Sequence, residues 1–166
     1  SYADEAEKYG LDLVNPSGTV IFDFDRDGRL DVFSGQSKLR NERVPGNLYV
    51  FHNVTDRKKR RSLSLVLRGS KANAHGLGAK VWLTTSKKTY LRNVEYAFGG
   101  LPSQNEEGVF FGLSDDENLK SVVVDWPYVK DGVLLKKTYS LSSKDFKNYL
   151  KLQLNDNGKS KVLIRN

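Results

Sequence analysis

The sequence predicts an all-β fold, and three observations carry that prediction. Apolar residues recur at every second position, turn-forming residues interrupt them at short intervals, and only two short stretches suit a helix. Alternation places Val20, Phe22 and Phe24 on one face of a strand and Leu63, Leu65 and Leu67 on one face of another. Further strands are read at Val81/Leu83, Val122/Val124/Trp126, Val133/Leu135, Leu150/Leu152/Leu154 and Val162/Ile164. The turns between them are Pro16-Ser17-Gly18, Asp27-Gly28, Pro45-Gly46, Gly99-Gly100, Asp131-Gly132 and Asn157-Gly158. Asn155-Asp156-Asn157-Gly158 predicts a hairpin joining the last two strands. Short strands at even spacing predict an antiparallel β-sandwich or barrel. The helical stretches are Asp4–Tyr9 and the residues after Ser142, where Ser142 and Asp145 have capping-box spacing.

At 166 residues the chain can bury a real core as one domain or slightly more. The run Asp56-Arg57-Lys58-Lys59-Arg60-Arg61 suggests a division into residues 1–57 and 58–166. The first part holds an acidic loop and strands near 18–24, 30–34 and 47–52. A sheet of three strands is a weak independent folder, so it is expected to pack on the second part.

No apolar run nears the ~18 residues of a membrane span. The opening Ser1-Tyr2-Ala3-Asp4-Glu5 has neither the basic nor the apolar region of a signal peptide. No methionine occurs, even at position 1, so the chain reads as a processed or excised part of a longer polypeptide. The absence of cysteine excludes disulfides, thiolate catalysis and cysteine-ligated zinc. A net charge of +7, from 27 basic and 20 acidic residues, permits an anionic partner, although dispersed lysines also serve plain solubility.

The densest chemistry lies in Asp23-Phe-Asp25-Arg-Asp27-Gly28-Arg29-Leu30-Asp31, four carboxylates within nine residues. Such a cluster repels itself, and a bound divalent cation is the natural compensation. Oxygen ligands at loop positions 1, 3, 5 and 9, with glycine at position 6 and the Arg29 backbone carbonyl at position 7, suit calcium. The lack of nearby histidine or cysteine in the sequence disfavours zinc and copper. Position 12 is Ser34 rather than glutamate and the flanks read as strands, so the loop is not an EF-hand. Alternation aims Asp23 and Asp25 to one side, opposite Phe22 and Phe24. The plainer alternatives are an acidic turn without metal, or a metal that only stiffens the loop.

This Asp-x-Asp-x-Asp-Gly-x-x-Asp pattern between strands resembles the calcium loop of FG-GAP or VCBS blades in integrin-α-like β-propellers. Residues 18–53 resemble one such blade, with Gly46-Asn47-Leu48-Tyr49 near its end and Tyr9-Gly10-Leu11 as a lead-in. One blade makes only a partial propeller element. Residues 63–127 resemble the ASPIC/UnbV domain of secreted proteins related to cartilage acidic protein. The matching pieces are Ser64-Leu-Val-Leu-Arg-Gly69, Asn73-Ala-His75-Gly76-Leu-Gly78-Ala79, Tyr90-Leu-Arg-Asn-Val94, Gly99-Gly100-Leu-Pro-Ser103-Gln104, Phe110-Phe111-Gly112-Leu113 and Val124-Asp-Trp126-Pro127. Where that family usually has Ser-Gly after Trp-Pro, Tyr128-Val-Lys-Asp-Gly132 stands here, and the tail beyond about 133 has no counterpart. Together the resemblances imply a secreted or cell-surface protein, extracellular or periplasmic, that binds calcium and has an adhesive or ligand-binding role. They carry over no catalytic residue.

The remaining candidates read as structure first. Gly76 and Gly78 suit turns or bulges, and Phe111-Gly112 and Trp126-Pro127 suit strand ends with buried aromatics. His52 and His75 are the only histidines, and no Gly-x-Ser-x-Gly elbow accompanies them, so the chain is not expected to be an enzyme. Glu106-Glu107 and Asp115-Asp116-Glu117 read as solvated loops rather than a glycosidase pair. Arg57, Lys58, Lys59, Arg60 and Arg61 form the candidate ligand-binding run, for a sulfated glycan or other polyanion, or else an exposed linker. Stacking platforms for bases are not evident, which disfavours nucleic acid. Asn53-Val54-Thr55 fits a glycosylation sequon. The expected function is calcium-dependent recognition or adhesion, and the alternative is a purely structural cap on a longer multi-blade protein.

Overall fold

A computed structural model describes residues 2–39, 41–56, 60–70, 73–95, 105–130, 133–142 and 147–166, with the side chains of 129 and 130 excepted. It is all-β. The first sheet is β1 (Pro16–Phe22), β2 (Asp31–Gln36) and β3 (Asn47–Phe51), joined in that order by antiparallel pairing. These lie close to the three strands expected before the basic run. The extrapolated alternation fails at one point: β1 stops at Phe22, so Phe24 and Asp25 belong to the loop that follows. Phe24 still packs edge-on against Phe33 of β2, with ring centroids 5.6 Å apart.

The remaining strands form two four-stranded sheets that face each other as a sandwich, with no closed barrel among the described residues. One sheet runs β11 (Ser160–Arg165), β10 (Tyr149–Asn155), β4 (Arg60–Arg68), β7 (Val109–Ser114). The other runs β6 (Thr89–Asn93), β5 (Lys80–Thr85), β8 (Leu119–Lys130), β9 (Val133–Ser140). The predicted inward faces meet between them. Leu63, Leu65 and Leu67 of β4 and Leu150, Leu152 and Leu154 of β10 pack against Val81, Leu83, Val122, Val124 and Trp126. Phe111 and Trp126 are buried as expected, but they sit inside β7 and β8 rather than at strand ends. Val133 and Val162, on the edge strands β9 and β11, remain exposed.

Pairing departs from the antiparallel expectation once. Tyr149–Asn155 lies parallel to Ser62–Arg68 in an unbroken register. The predicted final hairpin is present, closed by Gly158 N donating to Asn155 O at 2.9 Å. Gly158 adopts φ +88°, the left-handed conformation such a turn needs. At the amino end, the expected helix shrinks to one 3-10 turn at Glu7–Tyr9. Gly99-Gly100, Asp131-Gly132 and the helix after Ser142 fall outside the described residues.

β4 is paired on both edges and buried on both faces. Its outer face carries Ser62, Ser64 and Val66, and all three are buried. Gly108, at φ +98°, passes so close to the β4 backbone that an added Cβ would come 3.2 Å from Val66 Cα.

With Leu65 fully buried at the centre of the sandwich, Leu65→Ala should cost about 2–5 kcal/mol of stability by urea unfolding. A loss under about 1 kcal/mol would show that the core closes over the gap.

Candidate metal centre

The aspartate loop, residues 23–30, turns back over the outer face of β4 and β10. Two residues in it adopt positive φ: Arg26 at +62° and Gly28 at +82°. Gly28 is required twice over. A Cβ added there would lie 2.5 Å from Ser62 Oγ and 2.7 Å from Tyr149 Cβ. Ser62 Oγ donates to Gly28 O at 2.6 Å, so backbone and sheet touch directly. Around this contact Ile21 N donates to Asn105 Oδ1 at 2.9 Å and Asp23 N to Glu106 Oε2 at 3.4 Å. Lys151 of β10 pairs with the other oxygen of Glu106.

The loop folds its carboxylates inward onto its own amides. Asp23 Oδ1 accepts from Asp27 N at 3.0 Å, and Asp23 Oδ2 from Gly28 N at 2.8 Å. Asp25 Oδ1 also accepts from Asp27 N, at 3.1 Å. Asp31, at the start of β2, accepts from Phe24 N at 3.2 Å and from Asn53 N at 2.8 Å. Asp23 and Asp31 are buried. Each of Asp23, Asp25 and Asp31 offers one carboxylate oxygen, and the three oxygens lie within 4.8 Å of one another. Calcium holds its oxygens at about 2.3–2.6 Å, so two ligands across one ion stand up to about 5 Å apart. The three carboxylates fit that span.

Asp27 takes a different course. Its carboxylate pairs with the Arg29 guanidinium and accepts from Arg29 N at 2.8 Å. Asp27 groups with Asp25 and His52, and His52 Nε2 stands 3.1 Å from Asp25 Oδ2. In the sequence His52 reads only as a catalytic candidate and is not placed beside the loop, because it lies 27 residues beyond Asp25. It follows directly on β3, whose pairing with β2 carries it back to the loop.

Burial dominates the electrostatics of Asp23 and raises its pKa. The Asp27 and Glu106 charges add to that rise, against hydrogen bonds from Gly28 and Asp27 amides. A carboxyl raised in the folded state favours folding while protonated, and that contribution is lost as pH rises through its folded pKa. Ionised Asp23 therefore weakens the fold at neutral pH unless a cation offsets it.

Of the basic run, Arg57, Lys58 and Lys59 lie outside the described residues, and Arg60 and Arg61 open β4. Arg61 Nη2 donates to Asp115 O at 3.1 Å and to Glu117 O at 2.5 Å, bracing the β7–β8 turn. Asn53, first residue of the sequon, donates its amide to Leu30 O at 3.0 Å. Gly76 and Gly78 have the expected positive φ, +66° and +79°.

Two acidic stretches read as solvated loops depart from that expectation. Asp115 and Asp116 are exposed, but Glu117 is buried. It accepts from Tyr90 Oη at 2.9 Å, Thr85 Oγ1 at 2.9 Å and Ser114 Oγ at 3.1 Å. Glu107 receives both Arg68 Nη atoms and His75 Nδ1. Identical letters in a turn hide whether the side chain points in or out.

Residues 69–144 match the family model described as ASPIC and UnbV.

The ASPIC/UnbV stretch begins after β4 and runs through β9, starting later and ending further along than the expected 63–127. Residues 1–68, including the whole aspartate loop, lie outside it, so the blade resemblance rests only on the sequence pattern of residues 18–53 and the Tyr9-Gly10-Leu11 lead-in. β4, β10 and β11 also fall outside the stretch, although β4 and β10 supply a third of the buried core among the described residues. No curated protein matches the chain.

Gly28→Ala should lose stability by about 1–3 kcal/mol, from overpacking and backbone strain together. Gly158→Ala is the control, since Gly158 shares the positive φ but has nothing within 4 Å of an added Cβ. Equal losses in the two variants would remove the close approach as a constraint.

Glu117 gives a pH prediction. Burial alone would raise its pKa, but hydrogen bonds from Tyr90, Thr85 and Ser114 outweigh burial and hold it below its ordinary 4.5. A lowered carboxyl stabilises the fold above its ordinary pKa, and that contribution disappears as pH falls through the folded value. Melting temperature should therefore drop between about pH 5 and pH 3, less steeply in Glu117→Gln than in the parent chain. Parallel curves would show that the hydrogen bonds do not outweigh burial.

Proposed function

We propose that the protein is a calcium-stabilised extracellular recognition or adhesion module whose ligand is a surface glycan or another polyanion. The convergence of the Asp23, Asp25 and Asp31 oxygens within 4.8 Å carries the reading. These three carboxylates would hold the ion, with Asp27 and the Arg29 backbone carbonyl completing the set. Calcium would supply charge compensation and rigidity rather than reaction chemistry. The raised pKa of Asp23 supports a cation partner, because the buried charge otherwise works against folding. The ion would compete with Arg29 for the Asp27 carboxylate.

The ASPIC/UnbV match supports an extracellular setting, since that domain is typical of extracellular proteins. Among the described residues no helix is long and apolar enough to cross a membrane. We read the protein as a binding module rather than an enzyme: the two histidines are engaged with Asp25 and Glu107, both in ion-pairing clusters.

One observation favours the second reading, a structural cap within a longer multi-blade protein. Leu48 and Val50 are exposed on β3, an edge strand of the first sheet. A neighbouring blade would cover them. A glycan array read with and without chelator separates the two: binding to any glycan supports recognition, and silence under both conditions supports the cap.

Calcium should raise the melting temperature and chelator should lower it, by mass action on the folded state. Asp25→Ala or Asp27→Ala should abolish that difference and leave the far-UV circular dichroism β-rich. Calorimetry showing no calcium uptake by the intact chain would end the proposal.

A further inference from the structure

An open cleft of about 550 Å³ lies beside the aspartate loop, between the first sheet and the sandwich. Its ionisable lining is Arg29, Arg60, Arg61 and Lys88 against Asp56 and Glu117, four cations to two carboxylates. The cations outnumber the carboxylates by two. Glu117 is buried and accepts hydrogen bonds from Tyr90, Thr85 and Ser114, while Asp56 has a partner of its own. The cleft is therefore electropositive.

Three of its cations are held in place. Arg61 is braced by the carbonyls of Asp115 and Glu117. Lys88 Nζ sits 4.5 Å from the centroid of Tyr90, whose hydroxyl reaches both Glu117 oxygens at 2.9 Å. Arg29 pairs with Asp27 through its Nη2 atom, yet its buried Nε has no hydrogen-bond partner. A buried donor without an acceptor is costly, and an incoming anion would satisfy it.

We propose that this cleft is the ligand site of the module and takes a carboxylated or sulfated saccharide of one or two sugar rings. The inference rests on the recognition role proposed above and adds where the ligand binds and what chemistry it carries. Arg29, Arg60 and Lys88 contact the anionic groups, and Arg61 contributes its fixed charge. A free inorganic ion would fill little of a cleft this size, whereas small-ligand sites commonly occupy about 300–1,000 Å³. The rings of Tyr90 and Phe110 in the lining offer apolar surface to the C–H face of a sugar. Because Gly28, Arg29 and Leu30 form one wall, the cleft shares backbone with the aspartate loop.

The test is calorimetric titration of the intact chain, in calcium, with a heparin disaccharide, digalacturonate, inorganic sulfate and inorganic phosphate. Saccharide binding tighter than either free ion is expected, and preference between the two saccharides separates sulfate from carboxylate recognition. Arg60→Gln with Lys88→Gln should weaken saccharide binding about tenfold or more. Lys159→Gln with Lys161→Gln removes the same charge from the exposed final hairpin and should weaken it less than about twofold. Equal losses in the two double variants, or equal affinity for saccharide and free ion, would overturn the cleft. Melting the same samples with calcium and with chelator keeps the failures apart. A missing calcium shift overturns the recognition module itself, while a retained shift with no cleft-specific loss overturns only this site.

Discussion

The contact between the Gly28 backbone and the outer face of β4 and β10 is the constraint on which the rest of the molecule depends. It sets the path of the aspartate loop and, through the β1 and β2 ends of that loop, the seat of the first sheet. Only a residue without a side chain can lie that close to Ser62 and Tyr149 while holding a left-handed backbone. One position thus satisfies the turn of the loop and its attachment to the sandwich. The surrounding polar contacts, Ile21 to Asn105, Asp23 to Glu106 and Glu106 to Lys151, fix the angle of the approach.

Charge in the loop is distributed rather than cancelled at one point. Backbone amides reach Asp23 and Asp31, Arg29 reaches Asp27, and His52 reaches Asp25. The two most buried carboxylates therefore rely on dipoles, and the two more exposed ones add a side-chain partner to their amide donors. This division explains why burial governs Asp23 despite its two amide donors. A dipole lowers the cost of a buried charge but does not neutralise it.

Much of the fold was legible because period-two alternation reports directly on a strand with one face inward. Leu63, Leu65, Leu67, Val122, Val124, Leu150, Leu152 and Leu154 are buried as their spacing requires. The parallel pairing of β10 with β4 was not legible, since alternation assigns a face and says nothing of direction or neighbour. The aspartates of the loop were visible as a cluster, and Gly28 as its turn. Arg60 and Arg61 stood out within the basic run, but the cleft itself was hidden: Arg29, Arg60 and Lys88 lie far apart in sequence, and the aromatic wall beside them is indistinguishable from core. Glu117 misled in the opposite sense, because a turn-like context conceals a carboxylate that is pulled inward by three hydroxyl groups.

The parallel β10–β4 pair also orders events during synthesis. β4 emerges early, yet its second edge and the Leu150, Leu152 and Leu154 layer arrive some 80 residues later, at Tyr149–Asn155. Until then the nascent chain carries a leucine-rich strand with one open edge and half its apolar cover. Late closure between distant segments is slow, and an uncovered strand edge invites pairing with other chains. The final hairpin thus acts as a latch on the nascent sandwich, and chaperone demand should concentrate in the interval before it shuts.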